Sequence, residues 1–177
     1  VRRDVIGFLS PQGIDWASNL GHFPLPTKRW RAADAAKESK MKDSLRPGVS
    51  RVERITIDRD RTISFMGEDA RVYATPRLVS DIEITCRNLI LEHADPGEDS
   101  VGMEIALKHL APSLQGMTVE VTVNVVAVDR RKISFEVAAR DELDEISAGT
   151  HARFVVDIAK TVERVKAKAA RRDARKA

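Results

Sequence analysis

Thr75, Glu83 and His109 stand where the hydrophobic pattern of this chain favours apolar residues. Thr75 lies in Tyr73-Ala74-Thr75-Pro76, just ahead of a helical pattern. Glu83 falls inside that pattern, with Val79, Cys86 and Ile90 around it. His109 ends an extended run in which Val101, Met103, Ile105 and Leu107 are expected to share its side. A hydroxyl, a carboxylate and an imidazole around one core can supply the nucleophile, base and acid of acyl transfer. Each residue also has a plainer reading. A threonine before proline at a helix start is a ready N-cap, Glu83 reads as a boundary carboxylate reaching water, and His109 as a satisfied core histidine. Helical rise separates residues 75 and 83 by about 12 Å. A simple triad within one chain therefore needs the Thr75 loop to fold back, or a second subunit must contribute.

The elements that must position these residues follow from periodicity. A strand pattern begins near Val49 with Val52, Ile55 and Ile57, and Thr62-Ile63-Ser64-Phe65 reads as a short extended piece. Pro76 suits the first turn of a helix. Leu78, Val79, Ile82, Cys86, Leu89 and Ile90 then recur at helical spacing to about His93, and Asp95-Pro96-Gly97 stops the run. Four strands follow. Ser100 to Leu110 is the first, and Val119, Val121, Val123 and Val125 mark the second, with a break in phase at Val125-Val126 that predicts a β-bulge. Ile133, Phe135, Val137 and Ala139 mark the third, and the fourth runs from Ile146 to Ile158, joined by charged hairpin turns. Strand, helix and antiparallel meander predict a two-layer α+β domain, with about five strands wrapped around one long central helix.

Composition bounds the rest. A chain of 177 residues, 42% hydrophobic and 32% charged, fits one globular core. No apolar run reaches the roughly 20 residues of a membrane span, and the Val1–Ser10 stretch is broken by Gly7 too early for a secretory signal. The expectation is a cytoplasmic protein without membrane attachment. The lone cysteine, Cys86, agrees, since it can close no disulfide within the chain. Residues 1–40 form an N-terminal arm, with Trp16 and Trp30 but no sustained period apart from a short helix near Ala32–Lys37. Met41 could be the true start. Residues 41–160 carry the domain, and 161–177 form a basic tail with Arg164, Lys166, Lys168, Arg171, Arg172, Arg175 and Lys176. That tail reads as a solvated helix. It lacks the aromatics that single-stranded nucleic acid would stack on, so no nucleic-acid partner is expected.

Several pieces line up in order. They are the aromatic-Ala-Thr loop, the helix carrying Glu83, and Pro96-Gly97-Glu98-Asp99-Ser100-Val101-Gly102 leading into a strand that ends at His109. Gly116-Met117-Thr118-Val119 and Asp144-Glu145-Ile146-Ser147-Ala148-Gly149-Thr150-His151-Ala152-Arg153 follow. Together they resemble the hotdog-fold acyl-CoA thioesterases, in particular the fluoroacetyl-CoA thioesterase group. The resemblance implies hydrolysis of a short or medium acyl-CoA thioester, with Thr75, Glu83 and His109 as the catalytic trio. It also implies that the Gly102 N–H lies near the thioester carbonyl and that Arg153 lies near the acyl-CoA. The acyl pocket is expected along the helix, beside Tyr73, Met103 and Leu107. Arg153 is the leading candidate for an exposed cation on the CoA phosphates, ahead of the basic tail. No metal is implied, and no cofactor beyond the CoA of the substrate. Hotdog proteins resemble one another in forming dimers with sites at the interface, so a homodimer or higher homo-oligomer is expected. An unpaired edge flanked by Val119, Val121 and Val123 would otherwise invite promiscuous pairing. Two departures stand out. The loop from Phe65 to Tyr73 is short where the fluoroacetyl enzyme carries a phenylalanine lid, and Pro76 replaces a glycine, so broad acyl tolerance is expected. The alternatives are a non-catalytic acyl-CoA-binding module and an enoyl-CoA hydratase-type enzyme. The latter places an Asp/His pair at the start of the central helix, and Thr75-Pro76-Arg77-Leu78 has none.

Overall fold

The computed structural model describes residues 41–176, and the expectations for residues 1–40 lie outside them. The elements are β1 (Ser50–Thr56), β2 (Thr62–Ile63), β3 (Val72–Tyr73), α1 (Thr75–Leu91), β4 (Glu98–His109), β5 (Thr118–Asp129), β6 (Lys132–Arg140), β7 (Glu145–Asp157) and α2 (Ile158–Asp173). Five strands form one antiparallel sheet in the order β1-β5-β6-β7-β4, and β2 pairs with β3 beside it. Helix α1 lies against one face of that sheet.

Alternation explains which side chains meet the helix. From β5 come Val119, Val121, Val123 and Val125, and from β6 Ile133, Phe135, Val137 and Ala139. All are buried, against Leu78, Ile82, Cys86, Leu89 and Ile90 of α1. Fully burying a side chain of this size contributes about 1.5–3 kcal/mol, so the seam between β5, β6 and α1 is the main source of cohesion. Burial pushes the Cys86 thiol up to about 12, as befits a packing group rather than a nucleophile. The predicted bulge in β5 is present, as a register shift between Val125 and Ala127.

One expectation needs correction. Val119, Val121 and Val123 do not flank a sheet edge, because β5 is hydrogen-bonded to both β1 and β6; the edges are β1 and β4. Val52 is 54% exposed. It cannot share a face with Ile55 and Ile57, since a three-residue interval in a strand changes sides. The segment after β7 is a helix with no buried residue, in keeping with its reading as a solvated helix. Asp157 caps α2 by accepting from the Lys160 N–H at 2.9 Å, and Arg171 and Arg172 sit in its last turn, where cations complement the helix dipole. Among the described residues no helix is long and apolar enough to cross a membrane.

Gly149 tests the packing of β7 on β4. It lies opposite Leu107 on one side and Val137 on the other. A Cβ at this position would overlap the Ala106 carbonyl oxygen and come within 2.9 Å of Leu107 Cα. Backbone cannot step aside as a side-chain tip can. Gly149→Ala should therefore cost about 1–3 kcal/mol, read as a lower urea midpoint. An unchanged midpoint would contradict this strand pairing.

Candidate active site

The chain enters α1 without a conventional cap. The N-cap is Ala74, which has no side chain to offer, and Thr75 is already helical, with Pro76 following in the first turn. Thr75 is therefore not the N-cap its sequence position suggests. Its Oγ1 lies 2.8 Å from Nδ1 of His109. Giving up a side-chain cap costs a helix about 1 kcal/mol. Other bonds hold the segment in place. Tyr73 N–H donates to Ser113 O at 2.8 Å and Ala74 N–H to Arg61 O at 2.9 Å. The Tyr73 hydroxyl donates to Asp81 Oδ2 at 2.6 Å, and Arg61 Nε donates to the same oxygen at 2.9 Å. Tyr73 is only 1% exposed. Burial and the Asp81 carboxylate hold its phenol well above the ordinary range. Tyr73 is thus a core anchor, not a wall of an open acyl pocket.

His109 and Gly102 both belong to β4, and a bulge determines their sides. Register with β7 shifts between Gly102 and Glu104. Gly102 opposes Arg153, whereas Ile105, Leu107 and His109 oppose His151, Gly149 and Ser147. All these positions face α1. Val101 opposes Phe154 and faces away, so it does not share a side with Leu107 and His109. The extra residue breaks the parity on which that expectation rested.

Glu83 projects from the middle of α1 onto Gly102. A Cβ at Gly102 would overlap Glu83 Oε1, so the glycine is what admits the carboxylate to this edge of the sheet. Oε1 lies 3.5 Å from Arg153 Nη1 and 3.7 Å from His151 Nε2, and the side chain remains 40% exposed. Arg153 is 6% exposed. Its Nε donates to Ser100 Oγ at 2.9 Å, its Nη2 to Ser100 O at 2.8 Å and its Nη1 to Glu83 O at 3.3 Å. Arg153 is therefore no exposed cation awaiting CoA phosphates. It alternates with Phe154 as expected, but the polar residue takes the inner side because β7 turns Ser147, Gly149, His151, Arg153 and Val155 toward the helix. Burial lowers the Arg153 pKa, opposed first by Glu83.

His151 was given no role by the sequence reading. It stacks on Phe135 with ring centroids 6.5 Å apart, and its Nδ1 lies 2.8 Å from Glu104 O. The two-residue spacing from Arg153 was the available signal, since it places both on one face. Thr75 and His109 thus meet directly, while Glu83 and Gly102 meet elsewhere along α1 and β4, backed by Arg153 and His151. The second group lies two helical turns away, about 12 Å by rise.

His151 gives stability a pH dependence. Burial is the main cause of its lowered pKa, with the Arg153 cation adding to it and the Glu104 carbonyl and Glu83 carboxylate opposing. The unfolded chain takes up a proton near the ordinary value of 6.5 that the folded chain resists. Stability should therefore fall as pH drops from about 6.5 toward the lower folded value. Urea midpoints measured across this window should slope downward toward acid. The slope should be shallower in His151→Gln; an equal slope would remove His151 as a source.

Comparison with known proteins follows the same lines. The sequence profile of the fluoroacetyl-CoA-specific thioesterase family, FlK, matches residues 57–159. The fluoroacetyl-CoA thioesterase of Streptantibioticus cattleyicolor is 32% identical over 135 residues, which span 72% of this chain and 97% of that protein. A solved structure of FlK aligns with a TM-score of 0.66 at 32% identity, covering 71% of this chain and 98% of the other. A thioesterase superfamily member from Thermus thermophilus gives 0.66 at 27% identity, over 72% of this chain and 96% of its own. A hot-dog-like protein from Thermanaerovibrio acidaminovorans, 20% identical, shares the fold at a TM-score of 0.63 over 69% of this chain and 91% of its own. The five-stranded sheet and its central helix are a hotdog fold, as the resemblance implied. Matched by the profile from just after β1 to the first turn of α2, the chain belongs to the fluoroacetyl-CoA-specific thioesterase family.

Proposed function

We propose that this protein hydrolyses short and medium acyl-CoA thioesters, with Thr75 as nucleophile and His109 as its base. The observation that carries the reading is the 2.8 Å contact between Thr75 Oγ1 and His109 Nδ1, made by a hydroxyl released from capping duty. Family membership supports it, as does a solved FlK structure holding fluoroacetate and CoA. Thr75 passes its proton to His109 and attacks the thioester carbonyl. The tetrahedral intermediate expels CoA, whose sulfur takes that proton back. Water then cleaves the Thr75 ester, releasing the acid and restoring the hydroxyl.

Glu83 and Gly102 join this pair from a second protomer. Edge strand β4 exposes Val101, Met103 and Ile105 at 45%, 52% and 43%. Antiparallel pairing of β4 with its copy, centred on Ala106 and with Met103 bulged out of the ladder in each strand, sets Gly102 opposite the other protomer's His109. The strands would lie about 4.8 Å apart, and the bulge keeps both residues on the helix side. In that arrangement Glu83 activates the deacylating water, and the Gly102 N–H stabilises the oxyanion, a contribution of about 100- to 1000-fold. Pairing also covers an edge that is otherwise a hazard. A cytoplasmic location fits the substrate and the single buried thiol of Cys86. The short stretch before Thr75 leaves few groups to single out one acyl chain, so tolerance is broad. Apolar contact alone discriminates by about 1–3 kcal/mol per methylene.

Free-thiol release from a panel of acyl-CoAs, from acetyl and fluoroacetyl to medium chains, tests the activity. Thiol should appear across the panel without a sharp preference for fluoroacetyl-CoA, and His109→Ala and Glu83→Ala should each lose at least about 100-fold in kcat. Binding without thiol release would leave only an acyl-CoA-binding module. Trapped acyl-enzyme should map to Thr75; full turnover in Thr75→Ala would instead assign attack to water activated by Glu83. Sedimentation should report a dimer, and Ile105→Lys a monomer with little activity. A stable, active monomer would sink the two-protomer site.

A further inference from the structure

Two buried polar side-chain atoms have no hydrogen-bond partner among the described residues, Nε2 of His109 and Oγ of Ser147. They belong to directly opposed residues of β4 and β7, and both side chains face α1. Side chains so opposed have Cβ atoms about 4.5–5.5 Å apart. Ser147 is 0% exposed. Its other cross-strand neighbour is Ala139, and the next inward position along β7 is Gly149, neither with a side chain that can hydrogen-bond. Buried polar atoms in native proteins nearly always find partners. Here His109 offers Ser147 the one polar side chain across either strand.

We infer that Ser147 is the positioning residue that fixes the ring of His109, its hydroxyl accepting from Nε2–H through one bridging water. This rests on the reading that His109 is the base for Thr75. A neutral imidazole carries one proton, on one nitrogen. With the proton on Nε2, Nδ1 is an acceptor and takes the Thr75 hydroxyl proton. With the proton on Nδ1, that N–H donates to Thr75 Oγ1, and the hydroxyl has no base. Ser147 selects the productive form by giving Nε2–H an acceptor. The orienting carboxylate of a Ser-His-Asp triad performs this task, but Glu83 cannot do so here. Nε2 is closed to solvent by its own chain, so a carboxylate arriving from another protomer does not reach it. Glu83 is left to act on substrate and water.

Nitrogen-15 NMR of histidine-labelled protein, without substrate, reads the tautomer. The neutral ring of wild-type His109 should be the Nε2–H form, and Ser147→Ala should shift it toward a mixture. The same variant should lower kcat by roughly 3- to 10-fold, the worth of one neutral hydrogen bond, with KM within about twofold. Ser147→Thr, which keeps the hydroxyl, should restore both tautomer and kcat. An Nδ1–H tautomer in the wild type overturns the inference without any variant. An unaltered tautomer in folded Ser147→Ala also overturns it. Failure of the underlying reading shows differently, as full thiol release by His109→Ala whatever the tautomer.

Discussion

A regular strand changes sides at every residue, so it cannot turn both an even and an odd position toward the same layer. Residues 102 and 109 of β4 nevertheless both face α1, because Met103 is accommodated as an extra residue between them. The site depends on that single irregularity. Without it, either His109 would leave Thr75, or Gly102 would turn away and close the space that Glu83 occupies. A bulge of this kind is a means of re-aiming side chains, and here it aims two positions of one strand at the start and the middle of one helix.

The polar groups around Glu83 show how such an arrangement stays soluble in its own core. An arginine buried as deeply as Arg153 would be costly without partners. It has Ser100 through both side chain and backbone, the Glu83 carbonyl, and the Glu83 carboxylate at 3.5 Å. The guanidinium supports the carboxylate from beneath while the carboxylate keeps a path to solvent. The middle strands β5 and β6 supply cohesion with aliphatic side chains, and β7 and β4 carry the polar groups of the candidate site. The division is spatial, with one sheet serving both purposes in adjacent strips.

Much of this was legible in the chain. Regular alternation in β5 and β6 and helical spacing from Leu78 to Ile90 fixed the layers, because burial of one face leaves a periodic trace. The glutamate at 83 and the histidine at 109 stood out as exceptions to that trace, whereas Gly102 entered only through the resemblance. Three things were not legible. Whether Thr75 would cap the helix or face His109 depended on a partner thirty-four residues away. Which side of β7 was the inner one could not be read from Arg153 and Phe154, because a buried arginine inverts the usual assignment. The bulge at Met103 left no mark, since Val101, Met103, Ile105 and Leu107 alternate with other residues without a break in the sequence. Local rules tend to fail where a site needs them to, and Ala74 as a helix cap is such a failure.

The tie between Tyr73, Asp81 and Arg61 has a kinetic consequence. Tyr73 precedes Thr75 by two residues and Asp81 follows it by six, so one buried carboxylate holds both flanks of Thr75. Segments with few buried bonds open locally at little cost, whereas one held in this way opens only with its surroundings. The hydroxyl therefore stands at its station before any thioester arrives. Under the proposed mechanism, little of the binding energy of the substrate need be spent on ordering this hydroxyl.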